Sequence, residues 1–358
     1  MLKRCKLCNL PENYTNIWFD DEGVCCYCIQ KYDKVEYPGF EALKEKINNI
    51  LSNYDSNRKY DCVVGCSGGR DSSYLLYYAK EVLKLNVLAV SLEHDFMPPQ
   101  TKQNIITLCN KLGVDLKFIT NNYLNKSSRK CVKHWAHKPD IAMCATFCSG
   151  CRYGIKKIIP SFARKNNIPI LLVGDTPYEA IDYRINLLCD GKEVNKKNKM
   201  IGYSKRILKN PSYLFSPSSM YTQFKDFVSC ESSYKSDYPV KIAPFSFVKW
   251  EKEKVLPKIQ ELGWKYDESL NSSWRSDCYV NILRQYFYKK VLGYNDLDVY
   301  YSKLIRNGDI NLDKALEMIE KEGNYDESVV REIFKKYYNV DYDKICTRIK
   351  CCEDDNHE

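Results

Sequence analysis

The sequence predicts an α/β fold class, a parallel sheet covered by helices, with a zinc ribbon before it and a helical region after it. Three observations predict this arrangement. Apolar strand-like runs alternate with amphipathic helical runs from residue 59 to about residue 186. Two Cys-x-x-Cys pairs precede that segment, and the chain beyond about residue 276 keeps a helical periodicity. With 358 residues, 44% of them hydrophobic, the chain is long enough to form more than one domain.

The same pattern predicts the domain boundaries. We expect, in order along the chain, a zinc ribbon over 1–35, a linking helix over 36–58, the α/β domain over 59–265 with an insertion at about 189–240, a helical region over 266–350 and a disordered tail over 351–358. The insertion is rich in Lys, Ser and Tyr. We expect it to be irregular and to cover a site.

Strands and helices are expected to alternate within the α/β domain. Apolar, β-branched runs place strands at 60–66, 86–91, 116–119, 169–173 and 241–247. Apolar residues three and four apart place helices at 71–85, 99–112, 152–166 and 251–262. Because helices separate the strands, neighbouring strands should be parallel.

Composition limits the environment and the partners of the protein. The formal net charge is +9, which suits a nucleotide or another anionic partner but is also common on ordinary surfaces. No run approaches the ~20 apolar residues that cross a bilayer, and the first residues do not resemble a signal peptide. We therefore expect a cytoplasmic protein without a membrane partner. In a reducing compartment, its 18 cysteines should bind metal more readily than form disulfides.

Residues 1–35, which we call the leader, carry four cysteines at the spacing of a zinc ribbon. Cys5 and Cys8 form one Cys-x-x-Cys pair, and Cys25 and Cys28 form the other. Cys26 lies inside the second pair and is not expected to be a ligand. The leader has so few apolar residues that metal binding would supply its folding free energy. The alternative is a disordered leader with free thiols.

A glycine- and serine-rich loop, VGCSGGRDSS at 64–73, joins an apolar strand to an amphipathic helix. Its glycines let the backbone curl around an anion, its hydroxyls can donate to that anion, and the helix N-terminus favours negative charge. The loop resembles the SGGxDS signature of the PP-loop ATP pyrophosphatases, which have a HUP-like fold. The alternative is an ordinary turn.

This resemblance implies that ATP is cleaved between its α and β phosphates and that a substrate oxygen is adenylated. It implies that Ser67, Gly68, Gly69, Asp71 and Ser72 hold the pyrophosphate, with Mg²⁺ neutralising its charge and Asp71 in a catalytic role.

The resemblance also implies nucleotide contacts outside the loop. The end of the second strand, Val90-Ser91-Leu92-Glu93, should lie against adenosine with Ser91 among the ATP-binding residues, and Gly174 and Asp175 should lie near the nucleotide. Asp175 and Glu179 have an ordinary alternative as the N-cap and first turn of a helix. Arg70 would either contact phosphate or lie on a solvated helix face.

A second set of cysteines lies inside the α/β domain and beyond it. Cys148 and Cys151 form a Cys-x-x-Cys pair before a predicted helix, and Cys278 begins another helix. Together with Arg152, the pair resembles the tRNA 2-thiouridine and 2-thiocytidine synthetases. That resemblance implies that Cys148, Cys151 and Cys278 hold a [4Fe-4S] cluster and transfer sulfur catalytically. The alternatives are a second zinc site, a persulfide-forming pair, or buried structural cysteines.

Another resemblance covers more of the chain. The leader segment FDDEGVC at 19–25, the phosphate loop, and the segments IRNGDI at 305–310 and KAL at 314–316 resemble the N-acetyl sugar amidotransferases. This resemblance implies that ammonia converts an acetamido group to an acetamidino group. The chain has four His and no evident Cys–His hydrolase set, so a separate glutaminase would supply the ammonia. The Cys148–Cys151 pair is a departure, because an ammonia-using enzyme does not need it.

We therefore hypothesise an ATP-dependent enzyme that adenylates an amide or carbonyl oxygen and then transfers sulfur. Sugar amidotransfer is the first alternative, and a non-catalytic ATP-binding adaptor with a zinc ribbon is the second. A small-molecule substrate is expected ahead of tRNA, since no RNA-binding module is recognisable. The expected protein partner is a sulfur donor or a glutaminase, and aromatic residues in the helical region would permit a homodimer.

Overall fold

The computed structural model describes residues 2–30, 34–179, 183–214, 216, 239–267, 270, 272 and 274–354. Its centre is a parallel five-stranded sheet with the order β3-β2-β1-β4-β5. The strands are β1 (Cys62–Gly65), β2 (Val87–Glu93), β3 (Asp115–Thr120), β4 (Ile170–Leu172) and β5 (Val240–Ile242). The predicted parallel α/β class is confirmed.

The central strand β1 is the point at which the chain changes direction across the sheet. Val63 in β1 is in register with Leu88 of β2 on one side and with Leu171 of β4 on the other. The chain winds outwards from β1 to β3, then returns to the other side of β1 for β4 and β5. The loops after β1 and β4 therefore diverge and leave a crevice at the carboxyl ends of the strands, the usual ligand position in open α/β sheets.

Helices surround the sheet and continue beyond it. Up to the fourth strand they are α1 (Cys26–Ile29), α2 (Phe40–Leu51), α3 (Arg70–Tyr77), α4 (Pro99–Leu112), α5 (Asn122–His137), α6 (Ser149–Tyr153) and α7 (Ile159–Lys165). Next come α8 (Tyr183–Leu188), α9 (Lys196–Lys209), α10 (Pro211–Leu214) and α11 (Lys252–Glu261). The C-terminal region holds α12 (Tyr279–Leu292), α13 (Asp296–Asn307), α14 (Leu312–Glu322), α15 (Glu327–Ile333) and α16 (Tyr342–Asp354).

Tighter and wider helical turns extend several of these helices. Segments Ile141–Cys148, Pro177–Glu179 and Pro244–Ser246 are 3₁₀ helices, and Tyr78–Val82, Gly154–Ile158 and Phe334–Tyr338 are π-helical turns. No helix in the described part of the chain is both long enough and apolar enough to cross a bilayer.

Successive residues of β1 face opposite helix layers. Val63 belongs to a buried cluster with Ile159 of α7, whereas Val64 belongs to a cluster with Leu75 of α3 and Leu108 of α4. This follows from the two-residue repeat of side-chain direction in a strand. Both faces of the central strands are therefore covered, which explains the nearly continuous apolar runs of β1, β2 and β4.

The leader packs on the C-terminal helices. Arg4 donates a 2.6 Å hydrogen bond to the carbonyl of Gly293, and the Ser302 hydroxyl donates one of 2.6 Å to the carbonyl of Cys8. The ring of Tyr14 lies 5.9 Å from that of Tyr294. The leader, α5 and the C-terminal helices thus share one hydrophobic core.

Part of the segment expected to be irregular is helical. The side chain of Asn195 accepts a 2.9 Å hydrogen bond from the backbone amide of Asn198 and caps α9, and Ile207 is buried on the inner face of that helix. The prediction of an irregular segment is therefore wrong for α9 and α10. Residues 215 and 217–238 of the expected insertion lie outside the described residues.

Other element boundaries also differ from prediction. The strand predicted at 241–247 ends at Ile242 and is followed by the 3₁₀ turn at Pro244, which has no amide hydrogen to continue a strand ladder. Helix α5 was not predicted. Helix α16 continues to Asp354, so a disordered tail from 351 is wrong for 351–354, and 355–358 lie outside the described residues.

Candidate active site

The phosphate loop is organised by its own serines at the carboxyl end of β1. The backbone amide of Ser67 donates to the hydroxyl of Ser72 at 3.2 Å, and the two hydroxyls lie 3.1 Å apart. The Gly69 amide donates to the Ser67 hydroxyl at 3.3 Å, and the Ser73 amide donates to the Gly69 carbonyl at 3.0 Å. Hydroxyls and amides are thereby gathered at the N-terminus of α3, an arrangement suited to binding phosphate.

Gly68 is required by the shape of this loop. Its φ of +83° lies in the left-handed region, which glycine adopts without strain. A Cβ atom at this position would lie 2.6 Å from Thr101 Cγ2 and 2.7 Å from the Thr101 carbonyl oxygen. The loop therefore packs directly on α4, and a side chain here would displace it.

A cavity of about 420 Å³ occupies the crevice between the loops that follow β1 and β4. Residues predicted for ATP binding and residues predicted for sulfur transfer both line it: Ser67, Gly69, Arg70, Asp71, Ser72, Cys148, Cys151, Gly174, Asp175 and Cys278. Aliphatic side chains such as Val90, Leu92 and Val173 complete the wall. The phosphate loop and the second cysteine set thus border one shared space.

Ser91 departs from the predicted site. It is fully buried within β2, while its neighbours Val90 and Leu92 line the cavity. Because alternate side chains of a strand point to opposite faces, the Ser91 side chain points away from the cavity. The strand end lies at the cavity as predicted, but the side chain of Ser91 is not placed to contact a nucleotide there.

Arg70 is buried against the C-terminal region. Its guanidinium lies 3.6 Å from Glu322 Oε2 and 5.1 Å from the centroid of the Trp274 ring, and the residue is 4% exposed. The alternative of a solvated helix face is therefore wrong. The charge that was expected to meet phosphate is instead directed at a carboxylate of α14, so we do not assign Arg70 to the phosphate site.

The carboxylates of Asp71, Asp175 and Glu179 line the cavity. Burial raises the pKa of Glu179 to about 7, and the charges of Asp71 and Asp175 add to the rise while Arg275 opposes it. Burial also raises the pKa of Asp71. Carboxylates that destabilise one another's charge provide the oxygen ligands and the negative potential that Mg²⁺ prefers.

Gly174 and Asp175 lie in the loop that leads from β4 to Glu179. A Cβ on Gly174 would lie 3.3 Å from the backbone carbon of Asp71, so the loop after β4 packs closely on the start of α3. Asp175 is exposed and pairs with Lys241 at 2.8 Å. Glu179 ends the short 3₁₀ helix at 177–179 and pairs with Arg275 at 3.5 Å, which ties this loop to the segment before α12.

Two cavity residues were not predicted. A Cβ on Gly69 would lie 3.2 Å from Asp277 Oδ2, so this carboxylate faces the phosphate loop. His94 follows β2, and its Nδ1 has no hydrogen-bond partner among the described residues. Burial lowers the pKa of His94, with Asp277 opposing, so its ring is neutral near pH 7. The available signals were the position of His94 after a strand and that of Asp277 next to Cys278.

The second cysteine set lies on separate elements around the cavity. Cys148 ends the 3₁₀ helix at 141–148, Cys151 lies in α6, and Cys278 is the N-cap of α12; all three are half-buried. Burial raises the pKa of Cys151 to about 12 and that of Cys278 well above its usual value, and Cys148 adds to both. As free thiols, Cys151 and Cys278 would stay protonated near neutral pH and would be poor nucleophiles.

These sulfurs are too far apart for one metal ion. Among the described residues, the potential ligands that lie within 4.8 Å of one another in a group are Cys5, Cys8, Cys25 and Cys28. Tetrahedral Zn²⁺ with Zn–S bonds of ~2.3 Å would hold its sulfurs about 3.8 Å apart. The sulfurs of Cys148, Cys151 and Cys278 do not form such a group, so their positions do not favour the alternative of a second zinc ion held by all three.

The leader cysteines have the separations of a four-thiolate metal site. The sulfurs of Cys5 and Cys28 lie 3.8 Å apart, those of Cys8 and Cys25 3.6 Å, and those of Cys25 and Cys28 3.7 Å. These values match the spacing around a tetrahedral Zn²⁺ ion, about 3.8 Å. Cys26 instead directs its sulfur at the carbonyl of Asn16, 3.7 Å away. The four thiols form a closed site without a position for substrate.

The segment 305–310 has a joining role. The side chain of Asn307 accepts a 2.9 Å hydrogen bond from the backbone amide of Val35, and Asp309 accepts one of 2.5 Å from the hydroxyl of Tyr178. It therefore connects the end of the leader to the loop after β4. Its residues do not belong to the described wall of the cavity.

Comparison with known proteins finds similarity in the α/β domain. A family model described as NAD synthase matches residues 40–155, which include the phosphate loop, Cys148 and Cys151. An uncharacterised protein of Methanocaldococcus jannaschii is 29% identical over 124 residues, which are 34% of this chain and 43% of that protein. The chain thus spans less than half the length of this curated relative.

Three solved structures are similar to longer stretches. A U34-tRNA thiolase of Methanococcus maripaludis, solved with its [4Fe-4S] cluster, has 17% identity and a TM-score of 0.36 over 95% of this chain and 99% of that one. The NMN synthetase of Francisella tularensis has 15% identity and a TM-score of 0.37 over 85% and 95%. The NH3-dependent NAD synthetase of Campylobacter jejuni has 12% identity and a TM-score of 0.29 over 55% and 97%.

The family match spans the first strand, the glycine- and serine-rich loop and the helix that follows it. Residues of these elements line the cavity, among them Ser67 and Ser72 with their hydroxyls. The resemblance inferred from the SGGxDS motif is confirmed over residues 40–155, the segment in which the chain matches the family model of a PP-loop ATP pyrophosphatase.

Proposed function

We propose that the protein adenylates an amide or carbonyl oxygen with ATP and then replaces that oxygen by sulfur. The observation that carries this proposal is that Cys148, Cys151 and Cys278, from two distant segments, line the same cavity as the phosphate loop. A purely ATP-dependent ligation or amidation has no use for three thiols at that position.

The chemistry divides into two substitutions. The acceptor oxygen attacks the α-phosphorus of ATP, the bond to the β-phosphate oxygen breaks, and pyrophosphate leaves. Sulfide, supplied by a separate sulfur donor, then attacks the acceptor carbon, and AMP leaves with the original oxygen. The products are a thioamide or thiocarbonyl, AMP and pyrophosphate, and no net oxidation or reduction takes place.

The residues beside the phosphate loop would serve the first substitution. Ser67 and Ser72 offer hydroxyls in the cavity wall, where pyrophosphate would accumulate charge. Asp71 and Glu179 would hold Mg²⁺, because both are cavity carboxylates whose ionisation burial opposes. Mg²⁺ bound there would neutralise the leaving pyrophosphate.

The cysteines would serve the second substitution. They fit a [4Fe-4S] cluster by donor type, by number and by their spread around the cavity. A cluster bound there would stabilise the thiolates and supply an open iron for sulfide. The four-thiol leader site would hold Zn²⁺ and stabilise the leader on the C-terminal helices, away from the reaction.

Nitrogen transfer is the second candidate, and the family match favours it. The matched model describes an NAD synthase, and its match ends at residue 155, before Cys278. In this candidate ammonia, not sulfide, attacks the adenylated carbon and the product is an amidine or amide. The three cysteines would then be dispensable.

The test combines metal analysis with single substitutions. The wild type and the Cys148→Ala, Cys151→Ala and Cys278→Ala variants are purified anaerobically, and iron, zinc and acid-labile sulfide are measured per chain. We expect about four irons with labile sulfide in the wild type, loss of both in each variant, and retention of zinc and of ATP binding. Cys109→Ala, which removes a buried thiol outside the cavity, is the matched control and should keep its iron.

A product assay separates the two candidates. Incubation with ATP and a metabolite extract should yield a product whose mass reflects replacement of oxygen by sulfur, and the cysteine variants should not form it. If the product instead reflects replacement of oxygen by NH, and the cysteine variants form it equally well, sulfur transfer is wrong and nitrogen transfer is supported.

A further inference from the structure

Arginine side chains form part of the cavity wall near the cysteines. Arg184 of α8, Arg284 of α12 and Arg275, just before α12, all line the cavity. Their side chains are 18%, 5% and 27% exposed, respectively. Arg284 and Cys148 line the same cavity, so this guanidinium shares the wall that the sulfurs border. The proposed function uses the phosphate loop and the cysteines, and it assigns no role to these arginines.

Two of these arginines share one carboxylate. Arg184 and Arg284 each place a guanidinium nitrogen 3.4 Å from the same oxygen, Asp296 Oδ2. This exceeds the ~2.7–2.9 Å of a good charge-assisted hydrogen bond. Asp296 also accepts a 2.8 Å hydrogen bond from Tyr183 and one from the side-chain amide of Gln285. One fully engaged carboxylate thus faces two cations, and buried charge without a counter-charge is unfavourable.

Two donors in this wall are also unsatisfied. The Nε atoms of Arg275 and Arg284 are buried and have no hydrogen-bond partner among the described residues. Arg284 is 4% exposed, so bulk water does not replace the missing partner. Buried donors in folded proteins nearly always have a partner, and an orphan in a cavity wall indicates a ligand. The backbone of Arg275 is itself strained, with a φ of +48°.

The arginine wall is distinct from the phosphate site. Burial raises the pKa of Asp71 beside the phosphate loop, and the charges of Arg70 and Arg275 oppose that rise. By contrast, burial and the neighbouring Arg284 lower the pKa of Arg184. Arg184 and Arg284 meet at Asp296, while Arg275 pairs with Glu179 on the side of the phosphate loop. ATP held by the loop leaves Arg184 and Arg284 for another ligand.

We propose that Arg184, Arg275 and Arg284 bind an anionic group of the acceptor, a phosphate or a carboxylate, and that the enzyme therefore acts on acidic substrates. This inference rests on the proposed function and adds the substrate class to it. Guanidinium groups match the geometry of both anions. An anion fixed beside Cys148 would hold the neighbouring amide or carbonyl of the acceptor between the α-phosphate of ATP and the sulfur centre.

The test measures binding of simple anions, so it does not depend on knowing the acceptor. The phosphate loop is first saturated with a non-hydrolysable ATP analogue and Mg²⁺. Inorganic phosphate and acetate are then titrated separately into the wild type, Arg184→Gln and Arg164→Gln, with calorimetry and melting temperature as readouts. Arg164 is an exposed arginine of α7 and serves as the matched control. Arg184→Gln leaves Arg284 beside Asp296, so no buried carboxylate loses its last cation.

We expect one anion to raise the melting temperature of the wild type and of Arg164→Gln, and to bind Arg184→Gln about tenfold or more weakly. Preference for inorganic phosphate indicates a phosphorylated acceptor, and preference for acetate indicates a carboxylic acid. The proposal is overturned if each anion binds Arg184→Gln as tightly as it binds the wild type. It is also overturned if neither anion binds the wild type. Binding of the ATP analogue, recorded on the same samples, reports on the proposed function separately.

Discussion

The indole Nε1 of Trp264 donates a buried 2.9 Å hydrogen bond to the carbonyl oxygen of Gly68. Trp264 follows α11, some two hundred residues beyond the loop that it contacts. Gly68 is thus contacted from two sides, by Thr101 of α4 and by this indole. The geometry of the phosphate loop therefore depends on a part of the chain that does not border the cavity.

Removal of this hydrogen bond should loosen the loop. We expect Trp264→Phe to lower the free energy of unfolding by about 1–2 kcal/mol, because it leaves a buried carbonyl unsatisfied. Affinity for an ATP analogue should fall as well, since the loop must then be ordered by the ligand. Urea unfolding and calorimetry measure the two effects.

Trp250→Phe is the matched control for that change. Trp250 Nε1 has no hydrogen-bond partner among the described residues, so its loss should leave nucleotide affinity unchanged. Equal loss of affinity in both variants would show that indole packing, and not the bond to Gly68, orders the loop.

Two glycines with positive φ should respond differently to alanine. Gly68→Ala introduces a Cβ 2.6 Å from Thr101 Cγ2, whereas Gly113, at the C-cap of α4, has nothing within 4 Å of its Cβ position. Gly113→Ala should lose about 1–2 kcal/mol of stability from its left-handed backbone and bind nucleotide normally. Gly68→Ala should lose nucleotide binding altogether. Calorimetric titration with an ATP analogue decides, and tight binding by Gly68→Ala would contradict the assigned loop geometry.

The leader should contain one zinc ion per chain and lose it after a single substitution. Cys8 is fully buried, its sulfur belongs to the four-thiol group, and its carbonyl accepts from Ser302. We expect Cys8→Ser to abolish zinc binding and to lower the melting temperature, because the leader then detaches from the C-terminal helices. Zinc content is measured by mass spectrometry, and unfolding by circular dichroism.

Cys26→Ser provides the control for the zinc experiment. Its sulfur contacts the Asn16 carbonyl, and a hydroxyl can make the same contact. This variant should keep one zinc and a normal melting temperature. Retention of zinc by Cys8→Ser, or its loss from Cys26→Ser, would show that the ligand set is misassigned.

Asp296 should make the stability depend on pH in acid. Burial alone would raise its pKa, but Arg184, Arg284 and Arg275 outweigh burial and lower the pKa to about 2. A folded-state pKa below the ordinary value of about 3.9 stabilises the protein above that value, and the contribution disappears as the pH falls from about 4 to about 2. The contribution at pH 7 is about 2–3 kcal/mol.

Comparison of the wild type with Asp296→Asn isolates this effect. The difference in their unfolding free energies should shrink as the pH falls from 5 to 2. Asp115→Asn is the control: Asp115 pairs with Lys59 at the surface, where solvent screens the charges, and its pH dependence should be small. A difference that stays constant down to pH 2 would mean that Asp296 is not ionised in the folded protein.

Local patterns predicted the elements that carry the ATP chemistry. The alternation of strands and helices gave the parallel sheet, and the SGGxDS loop gave the position of the phosphate site, because both depend on residues close together in the chain. The spacing of the two Cys-x-x-Cys pairs likewise predicted that the four thiols of the leader lie together. Their sulfurs lie 3.6–3.8 Å apart.

Features that depend on distant partners were missed or misplaced. Arg70 points inwards, where it pairs with Glu322 of α14, and no local sequence pattern connects these two residues. Arg184 and Arg284 meet at Asp296 from different helices, so their role as a wall follows from tertiary packing. The strand end 90–93 lies at the cavity, but the side chain of Ser91 points away from it, because side chains alternate between the two faces of a strand.

The attachment of the leader to the C-terminal helices has a consequence for synthesis of the chain. Arg4 and Gly293, and Cys8 and Ser302, are hydrogen-bonded across 289 and 294 residues. At roughly 5–20 residues per second, a ribosome takes about 15 to 60 s to make the surface on which the finished leader rests. During that interval the four thiols are already available, so capture of a metal ion can shape the leader long before its docking site emerges.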